Sequence, residues 1–173
     1  MSLKDLIISK NINRSRRKVE FHNFETAKNI AILYCIGNKD DFERVKHFAK
    51  ELLQKGINIS TLAYVPKTED IGNIYFGQGN NNFFSEKHIT KFGKIKEPCI
   101  VEFLNKENDI LINLCAENSF YTEYIFALSK AKFKVSGIID CKYSDLNINY
   151  KKTQNPDFLA DQIMYYLSTI KQA

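Results

Sequence analysis

A strand, a helix and a second strand follow one another between residues 30 and 65, and this unit constrains the fold more than any other stretch of the chain. Residues 30–36 are apolar at successive positions, which is typical of a strand covered on both faces. Residues 57–65 predict the second strand, which Pro66 ends. Such a β-α-β unit predicts two parallel strands joined by a right-handed crossover.

The helix between these two strands has a start signal and a stop signal. Asp40 or Asp41 is the predicted N-cap, and Gly56 occupies the position just after the last turn. Apolar residues recur at helical spacing and define the face that we expect to be buried: Phe42, Val45, Phe48, Ala49, Leu52 and Leu53.

The second half of the chain repeats the alternation of strand and helix. We expect strands over residues 109–115 and 133–139, and a shorter edge strand over residues 146–150. This pattern predicts a three-layer, Rossmann-like, doubly wound α/β fold with a mostly parallel sheet.

Two further helices belong to this half of the chain. Asn118 or Ser119 is the predicted cap of the first, and Asn155, followed by Pro156 at the first helical position, opens the last. The apolar residues expected to face the core are Phe120, Tyr124, Ala127, Leu128 and Ala131 in the first helix, and Leu159, Ile163, Tyr166, Leu167 and Ile170 in the last.

The middle of the chain is less regular. Residues 73–76 predict a third strand, residues 77–82 a polar loop, and residues 98–105 a short helix that begins with proline. The loop with Phe83 and Phe84 after it has two interpretations, a mobile lid or base-stacking platform and an ordinary surface turn. We favour the turn, because Asn and Gly are abundant in any exposed turn.

The net charge of +5 comes from the start of the chain. Residues 1–18 contain six basic residues and one acidic residue, and the rest of the chain contains equal numbers of both. We therefore divide the chain into a basic N-terminal arm, residues 1–20, and a single α/β domain, residues 21–173.

Residues 2–18 predict a helix, with Leu3, Leu6 and Ile7 on one side. A solvated helix or frayed terminus is the ordinary interpretation of such a segment, and we favour it. The alternative is a contact with RNA or with an acidic protein, made by Arg14, Arg16, Arg17 and Lys18.

The apolar runs and the cysteines of the sequence indicate the cellular compartment of the protein. No stretch approaches the roughly 20 apolar residues that cross a bilayer, and the apolar run at residues 6–8 is too short for the core of a signal peptide. The cysteines, none of which forms a C-x-x-C pair, are Cys35, Cys99, Cys115 and Cys141. We therefore expect a cytoplasmic protein with no membrane contact.

Ligands of open α/β sheets bind beyond the carboxyl ends of the strands, and this rule selects the candidate site. Two such loops each lead into a helix N-terminus, where free N–H groups attract anions. A small anionic ligand is one interpretation of these loops, and the other is an ordinary feature of the fold, since every βα loop has such a helix N-terminus. The candidate ligand-binding residues are Gly37, Asn38, Glu117, Asn118 and Ser119. The chain contains neither G-x-G-x-x-G nor G-x-x-x-x-G-K-[ST], so we expect no cofactor.

Other reactive side chains show no catalytic or metal-binding spacing. Cys115 ends a predicted strand and could be a nucleophile, but we favour a buried structural cysteine because no histidine lies near it in sequence. His22, His47 and His88 are scattered, His47 at the solvent margin of its helix, so we expect no metal site. For His22 with its neighbours Asn23 and Glu25, we favour a turn over a cleft lining.

Three segments resemble a known family. They are Lys18-Val-Glu-Phe-His-Asn-Phe-Glu-Thr-Ala-Lys28, residues 126–135, and the aromatic-rich last helix. Together they resemble a small bacterial family of unknown function, found mainly in Bacteroidetes, whose members have about this length. The resemblance implies a bacterial, cytosolic α/β protein and supplies no catalytic residues.

Three functional hypotheses are therefore open, and a fold alone does not decide between them. The first, which we favour, is a binding or interaction domain without catalysis. The second is an enzyme, a transferase or hydrolase on a phosphate- or sugar-bearing substrate, with its site at the strand ends. The third is association with RNA or the ribosome through the basic arm.

Overall fold

The computed structural model describes residues 3–12, 17–66, 82–138, 140–150 and 156–171. The helices are α1 (Leu3–Ile12), α2 (Lys39–Gln54), α3 (Pro98–Asn105), α4 (Phe120–Leu128) and α5 (Pro156–Thr169), with a 3-10 turn at Glu86–His88. The strands are β1 (Asn29–Cys35), β2 (Asn58–Tyr64), β3 (Asn82–Phe84), β4 (Ile110–Asn113), β5 (Phe133–Ser136) and β6 (Leu146–Asn147).

The six strands form one sheet in the order β3-β2-β1-β4-β5-β6, and every pair of neighbours is parallel. The chain runs outward from β1 to β3, returns to the middle of the sheet, and then runs outward again from β4 to β6. This reversal between β1 and β4 is the signature of a doubly wound fold. The predicted fold class is therefore confirmed, and the parallel pairing of the first two strands with it.

Helices cover both faces of the sheet. On one face α2 and α5 pack against a core that includes Ile32, Ile112 and Val135. On the other face α1, α3 and α4 pack against Leu33, Leu62 and other residues of the same strands. The strands are buried on both sides, which explains why their sequences are apolar at successive positions instead of alternating.

The β-α-β unit folds as its sequence predicts, with one correction at the start of α2. Asn38, and neither Asp40 nor Asp41, is the N-cap: its side-chain oxygen accepts a hydrogen bond from the N–H of Asp41. Asp41 instead takes the N3 position of a capping box, since its carboxylate accepts from the N–H of Asn38. At the other end Gly56 has φ +79°, which confirms the predicted stop.

The apolar helix faces that the sequence predicts to be buried (the apolar stripes) are confirmed at most positions, and the prediction is wrong at a few. In α2 the stripe residues Phe42, Val45, Phe48 and Leu52 are buried, but Leu53 is 55% exposed. In α5 the stripe residues Leu159, Ile163 and Leu167 are buried, but Tyr166 is 38% exposed. Asn155, the predicted cap of α5, lies outside the described residues.

The middle of the chain contains a strand that the sequence does not predict. Residues 73–76, predicted as the third strand, lie outside the described residues, as does most of the predicted loop 77–82. The third strand that the structure describes is β3, which contains Phe83 and Phe84. Phe84 is 1% exposed in the core, so its ring is not a platform for stacking bases. The short helix over residues 98–105 is confirmed as α3.

The first helix, predicted over residues 2–18, is described over Leu3–Ile12, and residues 17 and 18 are not helical. It also faces the domain differently, because Leu3 and Leu6 are exposed whereas Ile8 is fully buried. Ile8 belongs to the same core cluster as Tyr124 and Ile125 of α4. In the part of the chain that the structure describes, none of the helices has the length and apolar character needed to cross a membrane.

Candidate functional site

A cleft opens at the carboxyl ends of β1, β2 and β4, and its volume is about 1020 Å³. It lies at the point where the strand order reverses, because the loop after β1 leads to α2 on one face and the loop after β4 leads to α4 on the other. Diverging loops leave a crevice at this place in any doubly wound sheet. The volume is at the upper end of the range of small-molecule sites, which is about 300–1,000 Å³.

All five candidate ligand-binding residues line this one cleft. Gly37 and Asn38 come from the loop after β1, and Glu117, Asn118 and Ser119 come from the loop after β4. The structure thus brings together two loops about 80 residues apart in sequence, as expected from the meeting of strand ends at one edge of a parallel sheet.

The N-terminus of α2 already holds a carboxylate of its own. Asp41 Oδ2 accepts hydrogen bonds from the N–H of Gly37, at 2.8 Å, and of Asn38, at 3.0 Å. The other oxygen, Oδ1, pairs with the Arg44 guanidinium. The backbone donors that would cradle a phosphate here are therefore occupied by a side chain of the same helix.

The N-terminus of α4 is closed by a similar local network. Ser119 Oγ accepts a hydrogen bond from the N–H of Thr122, at 3.1 Å, and the Ser119 N–H donates to Thr122 Oγ1 at 3.2 Å. This confirms Ser119 as the cap, one of the two predicted alternatives. Its hydroxyl is thereby committed to the helix, so of this loop Glu117 and Asn118 are the side chains exposed at the cleft.

Acidic residues dominate the wall of the cleft. Among the described residues, its lining contains five carboxylates, which are Asp41, Glu51, Glu117, Asp157 and Asp161. The described lining contains one guanidinium, that of Arg44, and it is already paired with Asp41. The formal charge of this described part of the lining is therefore −4 when His47 is counted as neutral, and carboxylates in excess favour cations.

Aromatic and aliphatic side chains form the inner part of the cleft, among them Tyr34, Tyr64 and Tyr150. The Tyr64 ring stacks on Tyr121, with centroids 5.7 Å apart, and is tilted against Phe84. Burial, followed by the negative charge of Glu86, raises the pKa of Tyr64 to about 12. Its hydroxyl therefore stays protonated near neutral pH and is not a base.

Two cysteines meet beside this inner part. Cys35 lines the cleft, and its Sγ lies 2.8 Å from Sγ of Cys115. Cys115 is 1% exposed, which confirms it as a buried cysteine. Burial, together with the hydrogen bond from Cys35, raises the pKa of Cys115 well above its ordinary value, so this thiol is a poor nucleophile on its own.

A family of unknown function, DUF6913, matches residues 4–170 of the chain. The chain belongs to this family. Membership confirms the resemblance carried by residues 18–28 and 126–135, and it brings no activity with it, since the family itself has none assigned. No curated protein matches the chain.

The fold of this DUF6913 protein is similar to that in the crystal structure of an exopolyphosphatase-related protein from Bacteroides fragilis. The TM-score is 0.52 at 11% sequence identity, and the match covers 94% of this chain and 44% of the other. The chain thus spans less than half the length of that protein. At this identity the likeness shows a shared α/β fold alone.

The basic residues predicted to bind nucleic acid do not form one exposed cluster in the part of the DUF6913 chain that the structure describes. Arg14 and Arg16 lie outside the described residues. Arg17 is held by the domain, since its guanidinium donates to Asp145 at 2.7 Å and to the carbonyl of Lys132 at 2.8 Å. Lys18 is exposed and pairs with Glu20. The RNA contact stays a prediction.

Asn23 lies far from the cleft, near the amino end of the sheet, and organises a turn. Its Oδ1 accepts hydrogen bonds from the N–H of Glu25 and of Thr26, both at 3.0 Å. Its Nδ2 donates to the carbonyl of Ile170, just after α5. The turn interpretation of this segment is therefore confirmed.

Asp109 is a polar residue near this turn that sequence reasoning missed. Its carboxylate accepts hydrogen bonds from the N–H of Lys28 and Asn29 and from the Lys132 ammonium, at 2.8 to 3.0 Å. Burial alone would raise the pKa of Asp109, but these three donors lower it below the ordinary value. In the sequence, the position of this aspartate just before an apolar strand was the feature that could have drawn attention to it. Its hydrogen bonds indicate a structural role.

Proposed function

We propose that this protein is a binding module whose cleft holds a small organic cation, such as an amine or a guanidinium compound. The observation that carries the proposal is the charge of the part of the lining that the structure describes, which has five carboxylates and one guanidinium above an aromatic interior. Carboxylates attract a positive group electrostatically, and tyrosine rings interact favourably with cations and with the apolar part of such a ligand.

The geometry supports a cation better than the anion that the sequence predicts. The N–H groups of Gly37 and Asn38 already bind the Asp41 carboxylate, so a phosphate would have to displace it. An anion would also approach Glu117 and Asp161, which have the same sign of charge. Recognition of a phosphate-bearing substrate, and with it the proposed transferase or hydrolase, stays a prediction.

The side chains that line the cleft support binding more than catalysis. Among the described residues there is no group of three or more histidine, cysteine, aspartate or glutamate side chains placed to hold a metal ion. His47 is exposed and pairs with Glu51 on its own helix, and Tyr64 keeps its proton at neutral pH. Neither is arranged as a base beside a nucleophile.

We place this binding function in the cytoplasm. The four cysteines are far apart in sequence and none forms a C-x-x-C pair, which is typical of thiols in a reducing compartment.

The first test is native mass spectrometry of protein purified gently, followed by calorimetric titration with putrescine, spermidine and arginine. We expect a small basic ligand to co-purify, and amine binding that weakens as salt rises. Inorganic phosphate and adenosine monophosphate are the comparison ligands, and binding of these in preference to the amines would overturn the proposal.

A double variant locates the site. Replacing Glu117→Gln together with Asp161→Asn removes two charges from the lining, and we expect amine binding to weaken by about tenfold or more, which is about 1.4 kcal/mol. The matched control, Glu43→Gln with Glu107→Gln, makes the same change in net charge at exposed residues outside the lining. Equal effects of the two double variants would show that the amines bind the overall charge and not this cleft.

A further inference from the structure

The structure brings a cysteine at the end of β1 beside a cysteine that follows β4. Leu33 of β1 pairs with Asn113 of β4, and the Leu114 N–H donates to the carbonyl of Leu33. Cys35 lies two residues after Leu33, and Cys115 lies two residues after Asn113, so the two chains leave the paired region side by side. Their sulfur atoms are 2.8 Å apart.

The sulfur atoms are close enough that a disulfide needs only a short approach. They lie 2.8 Å apart, and the sulfur atoms of a disulfide are about 2.05 Å apart. Neighbouring strands are separated by about 4.8 Å, which falls within the range of about 4.4–6.8 Å between the Cα atoms of bonded cysteines. The N–H of Cys115 donates to the buried side chain of Asn113 at 3.0 Å, which holds the backbone of Cys115 in place.

The two thiols differ in their access to solvent. Cys35 is partly exposed and lines the cleft, whereas Cys115 is 1% exposed behind it. A reagent that enters the cleft therefore meets Cys35 first, and Cys115 is shielded from every reactant except Cys35. In redox-sensing proteins, an accessible cysteine is usually oxidised first, and a second, resolving cysteine beside it then forms the disulfide.

We propose that Cys35 and Cys115 form a reversible disulfide when a hydroperoxide such as hydrogen peroxide enters the cleft. Cys35 Sγ attacks one peroxide oxygen, the O–O bond breaks, and the products are a sulfenic acid at Cys35 and one water. Cys115 Sγ then attacks the Cys35 sulfur, the S–O bond breaks, and a second water leaves. In total the two thiols lose two protons and two electrons, which reduce one peroxide to two waters; a dithiol reductant restores both thiols.

The environment of each thiol determines that Cys35 is oxidised first and Cys115 reacts second. Burial and the hydrogen bond from Cys35 raise the pKa of Cys115, so it stays a thiol and does not react first. Once Cys35 is oxidised, Cys115 is already in contact with the sulfur that it must attack. The inference does not depend on the identity of the ligand in the cleft.

The disulfide would join β1 and β4 across the point where the strand order reverses. The two residues are separated by 80 positions in sequence, so the bond closes a long loop and restricts the unfolded chain. We therefore expect the oxidised protein to unfold at a higher urea concentration than the reduced protein.

The test treats the full chain with a small excess of hydrogen peroxide, blocks the remaining thiols with iodoacetamide and maps the peptides by mass spectrometry. We expect an intact mass lower by two hydrogen atoms, a peptide pair linked through Cys35 and Cys115, and reversal by dithiothreitol. A linkage through Cys99 or Cys141, or Cys35 that is oxidised to sulfinic acid while Cys115 stays free, would overturn the proposal.

Single variants complete the test. Cys35→Ser should abolish the linked peptide pair and leave Cys115 unmodified by peroxide, whereas Cys99→Ser should form the pair as the wild type does. Loss of the pair in both variants to the same extent would show that the oxidation is not specific to the two neighbouring thiols. The mapping of the wild-type protein decides the question even where a variant is unstable.

Discussion

Lys134 is a lysine in the middle of a strand that is buried on both faces. It is 1% exposed, and its ammonium donates to the carbonyls of Phe126 at 2.7 Å and of Ala127 at 2.9 Å. These carbonyls belong to the last turn of α4, which has no further N–H groups of its own to satisfy them. A strand residue thus caps a neighbouring helix, with a positive charge at the negative end of the helix dipole.

Lys134 makes stability depend on pH. Burial, followed by the positive charge of Arg17, lowers the pKa of Lys134 from 10.5 to about 7. Between these two values the unfolded chain binds the proton more strongly than the folded one, so the free energy of unfolding rises with pH. Lys134→Met should remove this rise, which is at most about 1.4 kcal/mol per pH unit. Urea denaturation at pH 7, 8 and 9 measures it.

An exposed lysine provides the control for this experiment. Lys55→Met removes a lysine from the surface beyond the end of α2 and should leave the slope of stability against pH as in the wild type. A Lys134→Met protein that keeps the full slope would show that another group is responsible.

The helix caps show how far the type of a single residue predicts where a helix begins. Ser119 was one of two candidates for its helix and is the cap, but the cap of α2 is Asn38 and neither Asp40 nor Asp41. Asn and Asp are almost equally good caps, so residue type alone does not choose between adjacent candidates. The spacing of three between Asn38 and Asp41 is the better signal, because it matches the capping box.

At the scale of the element, β1 is the strand on which the rest of the fold is built. It pairs with both β2 and β4, and its Ile32 is fully buried. Ile32→Ala should lower the free energy of unfolding by about 2–5 kcal/mol, because it leaves a cavity in the centre of the core. Chemical denaturation measures the change.

Leu53 is the matched control for this cavity. It belongs to the predicted stripe of α2 but is 55% exposed, so Leu53→Ala should change stability by about 0.5 kcal/mol or less. A cost of less than about 1 kcal/mol for Ile32→Ala would contradict the position of β1 in the sheet.

Elements with strong local signals were predicted, and those that depend on distant partners were not. The first β-α-β unit, α3 and α4 have caps, prolines or long apolar runs of their own. By contrast β3 has three residues, and it is a strand because β2 lies beside it. Some strands were predicted too long: residues 57–65 and 109–115 were predicted where the strands are Asn58–Tyr64 and Ile110–Asn113. Apolar residues such as Val65 and Leu114 continue beyond the ends of these strands, so the apolar pattern alone does not mark where they end.

At the scale of the whole molecule, the main question is whether the first twenty residues are separate from the domain. Ile8→Ala should lower the free energy of unfolding by about 2–4 kcal/mol, because the Ile8 side chain is fully buried with residues of α4. Leu3→Ala, on the same helix, changes a residue that is 69% exposed and is the control. Thermal and urea unfolding of both variants measure the effect.

Equal stability of the Ile8→Ala and Leu3→Ala variants would indicate that the arm is detached from the domain, in agreement with the predicted division between residues 1–20 and 21–173. Deleting residues 1–18 would also remove Ile8 and Arg17 from their contacts. Charge reversal at exposed residues, such as Lys10 and Lys18, is therefore the cleaner test of RNA binding.

The candidate site was predictable in its location and not in its chemistry. The rule for strand ends selects the loops that carry Asn38 and Glu117, and both line the cleft. The acidic character depends partly on Asp157 and Asp161, which belong to α5 at the other end of the chain. Sequence alone did not place α5 beside α2, because the strand order after the first crossover was unknown.

Among the described residues, the sheet ends on both sides in very short strands. The outermost of these are β3, with three residues, and β6, with two. A long exposed edge would offer a row of unpaired backbone groups to a strand of another molecule, and short edge strands limit this. The described part of the sheet is therefore a poor template for the stacking of further chains, and we expect fibrillar aggregation to begin from molecules that have already unfolded.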